Sequence, residues 1–287
     1  MRLGGLRESG NVEDRRGMGL GRGGMAVGGG CGTLIIVVLA LVFGVDPSQL
    51  LDSGVVPQQG PPAQQQGPQQ QRSTDEESQF VRRVLGTTED TWNDIFRRNG
   101  SEYREPALVL FTGQVQSACG RAGASVGPFY CPGDEKVYID LSFFQELSQR
   151  FRAPGDFAQA YVIAHEVGHH VQQLLGTSDK VTQLQRRARS ESQANDLSVR
   201  LELQADCYAG VWGFYAKQRN ILDPGDLEEA LGAASAIGDD RLQRETQGYA
   251  VPDSFTHGSS DQRMRWFRAG FDSGDLRRCD TFSTRAL

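Results

Sequence analysis

Residues 161–176 read YVIAHEVGHHVQQLLG, an apolar helical pattern interrupted by three histidines and one glutamate. Apolar residues recur at three- and four-residue steps from Phe157 to Leu174, which predicts a helix with one buried face. The chain has only four histidines, and three of them lie between positions 165 and 170. Polar side chains on a buried face need partners, so this concentration calls for a chemical reason.

The spacing of His165 and His169 suggests a metal site. Residues four apart project from the same helix face, one turn apart, so both imidazoles can bind one ion. Glu166, beside the first ligand, can reach a metal-bound water without binding the metal itself. The metal activates the water and polarises a carbonyl, while the glutamate transfers the proton to the leaving amine. His170 points about 100° away from His169, so it is predicted to be structural, or to support a ligand from behind, rather than to bind the metal.

A catalytic zinc site has three protein ligands and one open position, so a third ligand must come from elsewhere in the chain. Residues 197–216, LSVRLELQADCYAGVWGFYA, predict a second long helix that carries Glu202 and Asp206 four residues apart. Carboxylates on an apolar helix need a partner, which favours Glu202 as ligand and Asp206 as hydrogen-bond partner of a zinc histidine. Glu191 and Asp196 are weaker alternatives for the ligand, and a solvated helix edge is the non-functional interpretation.

His257 is the one histidine outside the first helix. It lies in a polar turn, THGSSD, that precedes an amphipathic helical pattern containing Met264, Trp266 and Phe267. A hydrogen-bond donor placed there can stabilise a developing oxyanion, so His257 is a second candidate catalytic residue. The alternative is an exposed histidine in a helix-capping loop.

Three zones precede the globular part of the chain. Residues 1–24 are rich in glycine and arginine, which predicts a disordered cytoplasmic tail. Residues 25–45 carry no charge and predict a single membrane-spanning anchor, with a cleaved signal peptide as the alternative. Residues 46–78 are rich in glutamine and proline and predict a linker. Arginines before the anchor predict that the tail is cytoplasmic and that the domain is extracytoplasmic.

The remaining residues, 79–287, predict one globular domain. Residues 107–113 read ALVLFTG and predict a strand, and residues 117–140 predict short strands and turns. Nearly everything after Asp156 predicts helix. A small sheet followed by a mostly helical half is typical of the α+β class. The net charge of −6 and the lack of a long basic run argue against nucleic acid as a partner.

The five cysteines constrain the compartment. No C-x-x-C pair occurs among Cys31, Cys119, Cys131, Cys207 and Cys279, which argues against a thiolate zinc site. In an extracytoplasmic domain the natural pairing of the last four is 119–131 and 207–279. In a cytosolic protein the same four residues would be buried free thiols.

The chain resembles a known family in several stretches. HEVGHH at 165–170 followed by ELQADCYAG at 202–210 resembles the bacterial neutral zinc metallopeptidases, a zincin-like group. Similar stretches are ESGNVEDRRG at 8–17, GPFYCPGDEKVYIDLSFFQEL at 127–147 and SFTHGSSDQRMRWFRAG at 254–270, so the resemblance covers most of the chain outside the linker. It implies a bacterial protein with a zincin-like fold, a peptide or protein substrate and one zinc ion per chain. Together with the anchor predicted at 25–45, this places the protein in the bacterial cell membrane.

A second resemblance concerns the residues of the site. The E-x-x-A-D string at 202–206 is similar to that of membrane-associated gluzincin peptidases, which implies zinc ligation by Glu202 and support from Asp206. His257 and Arg263 resemble their late motif, which implies binding of the substrate or oxyanion, although Gly258 stands where proline is frequent.

Zincins usually hold an extended substrate along an edge strand, which implies such a strand within GASVGPFYCPGDEKVYID, residues 123–140. Two alternative functions are a metal-binding scaffold without catalysis and a hydrolase of a non-peptide amide in the cell envelope. The sequence alone does not choose between them, because an intact motif shows chemical competence without showing a substrate.

Overall fold

The computed structural model describes residues 1–17, 68–284 and 287. The strands in this part are β1 (Val12–Asp14), β2 (Ala107–Phe111), β3 (Gln114–Ser117), β4 (Gly120–Gly123), β5 (Phe129–Cys131) and β6 (Lys136–Asp140). The helices are α1 (Pro68–Arg98), α2 (Ser142–Gln149), α3 (Asp156–Leu174), α4 (Thr177–Gln185), α5 (Glu191–Gln218), α6 (Asp226–Ala236), α7 (Asp239–Gln247) and α8 (Ser260–Ser273). The α+β class, with small sheets followed by a mostly helical half, is therefore confirmed.

The main sheet has the strand order β1-β2-β6-β5, and a separate hairpin pairs β3 with β4. β1, β2 and β6 run parallel, whereas β5 is antiparallel to β6. Successive side chains of a strand point to opposite faces, and β2 follows this rule. Leu108 and Leu110 belong to the large core beneath the helices, while Val109 and Phe111 pack in a second cluster with the hairpin. Both faces of the sheet are thus covered.

Residues 1–17 belong to the folded domain. Val12 of β1 lies opposite Leu108 of β2 in a parallel pair. The carboxylate of the fully buried Glu89 on α1 accepts hydrogen bonds from Ser9 Oγ at 2.5 Å and from Asn11 Nδ2 at 2.9 Å. The predicted disordered tail is therefore wrong for residues 1–17. A strand of three residues is stabilised by pairing with a distant part of the chain, and local composition does not reveal such pairing.

The pairing of β1 with β2 also bears on the predicted membrane topology. Residues 12–14 and 107–111 form one sheet and so lie on the same side of any membrane. A single crossing between them would separate the two strands, so a cytoplasmic tail with an extracytoplasmic domain disagrees with this fold. The predicted anchor, residues 25–45, lies outside the described residues. In the ranges that the structure covers, no helix combines the length and apolar character needed to cross a membrane.

The predicted linker also ends earlier than expected. α1 begins at Pro68, inside the segment 46–78 that composition assigned to a flexible linker. Proline is favourable at a helix start, and the glutamines and charged residues that follow are good helix formers. Residues 68–78 are therefore part of a helix, while residues 46–67 lie outside the described part of the chain.

The helical half is built around α3, which packs against α1, α5 and α6. α5 and α8 cross closely because glycine occupies the contact on each helix. A Cβ atom at Gly210 would lie 2.0 Å from the carbonyl oxygen of Phe267, and one at Gly270 would lie 1.9 Å from that of Cys207. Any larger residue would force these helices apart.

Two disulfides cross-link the described part of the domain, one over 12 positions and one over 72. Cys119 bonds to Cys131, which ties the turn of the β3–β4 hairpin to β5. Cys207 of α5 bonds to Cys279, which holds the segment after α8 against α5. Both pairs are those predicted for an extracytoplasmic domain.

Candidate metal centre

The close approach of α3 and α5 creates the site. A Cβ atom at Gly168 would lie 2.9 Å from the carbonyl oxygen of Ala205, so glycine is required where the two backbones meet. His165 and His169 flank this contact on α3, and Glu202 lies one turn before it on α5. The glycine of HEVGHH thus has a packing role that brings the glutamate opposite the histidines.

Three side chains converge at this crossing. The Nε2 atom of His165 lies 3.2 Å from Glu202 Oε2, and the Nε2 atom of His169 lies 3.4 Å from Glu202 Oε1. One ligand atom from each residue lies within 4.8 Å of the other two. Two imidazole nitrogens and a carboxylate oxygen form a donor set typical of catalytic zinc. The residues therefore fit a zinc ion.

The weaker candidates for the third ligand lie elsewhere. Glu191 and Asp196 are exposed in the first turns of α5. The carboxylate of Asp196 accepts a hydrogen bond from Arg200 Nε at 2.8 Å. The structure thus brings Glu202, and neither of these residues, to the two histidines.

Asp206 supports His165 as the sequence predicts. Its Oδ1 atom lies 2.8 Å from His165 Nδ1 and accepts a hydrogen bond from the Tyr161 hydroxyl at 2.6 Å. Arg263 of α8 donates to both oxygens of Asp206, each at 2.9 Å, and to the Tyr161 hydroxyl at 3.2 Å. Burial opposes the charge on Asp206, but Arg263 and His165 outweigh it and hold the pKa of this carboxyl below its usual range. The carboxylate thus orients the His165 ring with Nε2 toward Glu202.

Arg263 has a different position from the one that the resemblance implies. Its side chain is 3% exposed and its guanidinium is engaged by Asp206 and Tyr161. A buried guanidinium with these partners supports the carboxylate behind His165. This placement does not favour direct contact between Arg263 and a substrate.

Glu166 lies next to His165 but faces a different environment. The residue is buried, and within the described part of the chain no protein group hydrogen-bonds its carboxylate. Burial raises the pKa of Glu166. The neighbouring His165 and His169 oppose this rise without cancelling it, and the negative charge of Glu202 adds to it. A carboxylate without a competing donor is suited to accept a proton from water.

His257 is held in place by a residue that the sequence did not suggest. Asp239, the first residue of α7, accepts backbone N–H bonds from Thr256, His257 and Gly258 through Oδ2. Its Oδ1 atom lies 3.1 Å from His257 Nδ1. Burial disfavours charge on His257, but Asp239 and then Glu202 raise its pKa. The side chain is only 14% exposed, so the alternative of an exposed capping-loop histidine is wrong.

His170 has the structural role expected of it. It is fully buried, with Nδ1 at 3.1 Å from the Tyr130 hydroxyl and Nε2 at 2.6 Å from the Arg104 carbonyl oxygen. Burial lowers the pKa of His170, so the ring is neutral and donates to the carbonyl. The histidine therefore fastens β5, which carries Tyr130, to the helix of the metal centre.

Sequence reasoning missed three supporting residues, Tyr161, Gln172 and Asp239. Two of them had a usable signal, because Tyr161 lies four residues before His165 and Gln172 lies three residues after His169 on the same helix. Asp239 had no usable signal in the sequence, because it lies in α7 and contacts His257 only in the folded structure.

Fold and site together define an α+β protein with a His–His–Glu centre on two crossing helices. The family model described as "Putative neutral zinc metallopeptidase" matches residues 1–282, and the chain belongs to this family. It is 52% identical to the uncharacterized protein YpfJ of Escherichia coli K12, over 98% of this chain and 99% of that protein. It is 40% identical to the uncharacterized proteins Mb2605 of Mycobacterium bovis and Rv2575 of Mycobacterium tuberculosis, over 86% of each chain. No solved structure gave a significant match.

Proposed function

We propose that this chain is a zinc-dependent peptidase of the zincin type. The observation that carries the proposal is the convergence of His165, His169 and Glu202, with the buried carboxylate of Glu166 next to the first histidine. Membership of a metallopeptidase family supports the same activity.

Each residue of the centre has a defined task in this proposal. Zinc held by His165, His169 and Glu202 would lower the pKa of a water molecule and polarise the substrate carbonyl. Glu166 accepts a proton from the attacking water and delivers it to the leaving amine. His257, oriented by Asp239 at 3.1 Å, donates a hydrogen bond to the developing oxyanion.

β5 is the proposed docking strand for the substrate. It lies at one end of the sheet order, antiparallel to β6, and contacts α3. An edge strand offers backbone hydrogen-bonding groups to an extended peptide. The bond between Tyr130 and His170 keeps this edge at a fixed distance from the metal helix. These features favour a peptide or protein substrate over a non-peptide amide.

The peptidase proposal is tested with the full chain, because a fragment starting at residue 79 would lack β1. We expect the zinc-loaded protein to cut members of a diverse peptide library, with cut sites mapped by mass spectrometry. The control is the same protein after zinc removal by a chelator and again after zinc is restored. Cuts that persist without zinc would contradict the mechanism. A fully loaded protein that cuts no peptide would favour a metal-binding scaffold or a non-peptide substrate.

We also propose that the domain is extracytoplasmic and that residues 1–17 lie on the same side of the bacterial cell membrane. Two disulfides support an oxidising compartment, and the pairing of β1 with β2 requires both segments to share it. Membrane attachment through residues 25–45 stays a prediction, and it agrees with this shared location only if the segment enters and leaves on the same side of the membrane.

The topology is tested by labelling two exposed positions in intact cells. We expect Gly10→Cys and Lys180→Cys to react equally with a membrane-impermeant maleimide, because the two positions belong to one folded body. The unsubstituted chain gives the background from Cys31. Labelling of Lys180→Cys alone, with Gly10→Cys reacting only after permeabilisation, would contradict the shared location.

A further inference from the structure

Gln172 occupies the position behind His169 that Asp206 occupies behind His165. It lies on α3, three residues after His169, and is fully buried. Its Oε1 atom is 2.9 Å from His169 Nδ1. An amide oxygen can only accept, so this bond places the ring proton on Nδ1 and leaves the Nε2 lone pair directed at Glu202.

The orientation of the Gln172 amide is fixed by its other contacts. Nε2 donates to the Leu201 carbonyl oxygen at 2.7 Å and to Gln204 Oε1 at 3.2 Å. A flipped amide would bring its oxygen against the Leu201 carbonyl, where two acceptors would face each other. The contact with α5 therefore determines which end of the amide faces His169.

Gln204 in turn is hydrogen-bonded to a segment that a disulfide holds in place. Its Nε2 atom donates to the Cys279 carbonyl oxygen at 3.0 Å, and Cys279 is bonded to Cys207 on α5. The next residues are also held on α5, because the Thr281 hydroxyl donates to the Arg200 carbonyl at 2.7 Å. The Cys279 carbonyl that accepts from Gln204 is thus held against α5 by the disulfide and by the bond from Thr281.

We propose that Gln172 is the positioning residue for His169, and that Gln204 and the Cys207–Cys279 disulfide hold Gln172 in its working orientation. The two histidines of the centre are then supported differently, His165 by a charged carboxylate and His169 by a neutral amide. Partners of this kind fix the ring and tautomer of a metal-binding histidine, and their loss commonly weakens metal binding by about 10- to 100-fold. The proposal rests on the zinc centre of the proposed function but not on peptidase activity.

The test measures zinc affinity of the full chain by competition with a chromophoric chelator. We expect Gln172→Leu to bind zinc about 10- to 100-fold more weakly than the unsubstituted chain. Gln204→Leu should weaken binding by a smaller factor, because it loosens only the support. The matched control is Gln173→Leu, the next residue of α3, whose buried Oε1 has no hydrogen-bond partner in the described structure. It should leave the affinity unchanged.

A second readout separates positioning from general destabilisation. In the cobalt-substituted protein, the d–d absorption bands report ligand geometry, and we expect them to shift in Gln172→Leu but not in Gln173→Leu. Wild-type affinity and bands in Gln172→Leu would overturn the proposal. If Gln172→Leu does not fold, the zinc affinity of Gln204→Leu decides. A zinc affinity of Gln204→Leu equal to that of Gln173→Leu would contradict the role proposed for Gln204 and the disulfide-held segment. An unsubstituted chain that binds no zinc would overturn the metal centre itself.

Discussion

Replacement of Glu166 by glutamine is expected to slow peptide cleavage severely while leaving zinc in place. Glutamine keeps the size of the side chain and one acceptor oxygen, but it cannot accept and release a proton at neutral pH. Loss of a general base typically costs about 10²- to 10⁴-fold in rate, so kcat should fall by roughly three orders of magnitude. The measurement is kcat and KM on the best peptide from the library screen, together with metal content of the same sample.

The expected retention of zinc follows from the geometry of the centre. The group that converges consists of His165, His169 and Glu202, without Glu166. His169→Ala is the contrasting variant, because it removes a ligand and should lose both zinc and turnover. Wild-type turnover in Glu166→Gln would reject the general base. Loss of zinc in Glu166→Gln would instead mean that the carboxylate is a ligand.

The parts of the site that could be predicted are those fixed by local helix geometry. Four-residue spacing places His165 and His169 on one face whatever the surroundings, and the same holds for Glu202 and Asp206. That these two faces meet depends on Gly168, whose role becomes visible only once the helices are packed. HEVGHH and the E-x-x-A-D string at 202–206 therefore pointed to His165, His169 and Glu202 as ligands, but not to the contact that brings them together.

The misjudged parts are those whose partners lie far along the chain. The first residues of the chain are rich in glycine and arginine and show no hydrophobic periodicity, so their sequence predicts a disordered tail. Their order comes from Glu89 on α1, which receives Ser9 and Asn11, and from the pairing of β1 with β2. The contact between Asp239 and His257 could not be predicted for the same reason, because 18 positions separate the two residues.

The Arg263–Asp206 pair is expected to be the most costly ionic contact to break. Asp206 and Arg263 are both buried, and the guanidinium donates to both carboxylate oxygens. Arg263→Met would leave the carboxylate buried without the guanidinium that donates to both of its oxygens. Removal of one partner from such a pair typically destabilises a protein by about 3–5 kcal/mol. For a domain of this size, the expected fall in Tm is on the order of 10 °C.

The measurement is thermal and urea unfolding of the zinc-free protein, so that weaker metal binding does not contribute to the difference. Arg265→Met on the exposed face of α8 is the matched control and should change the free energy of unfolding by less than about 0.5 kcal/mol. The double variant Asp206→Leu/Arg263→Met should be less destabilised than Arg263→Met alone, because it removes both buried charges. Equal stability of Arg263→Met and Arg265→Met would show that the burial of Asp206 does not depend on this ion pair. The bonds from Tyr161 and His165 would then be enough to hold the carboxylate.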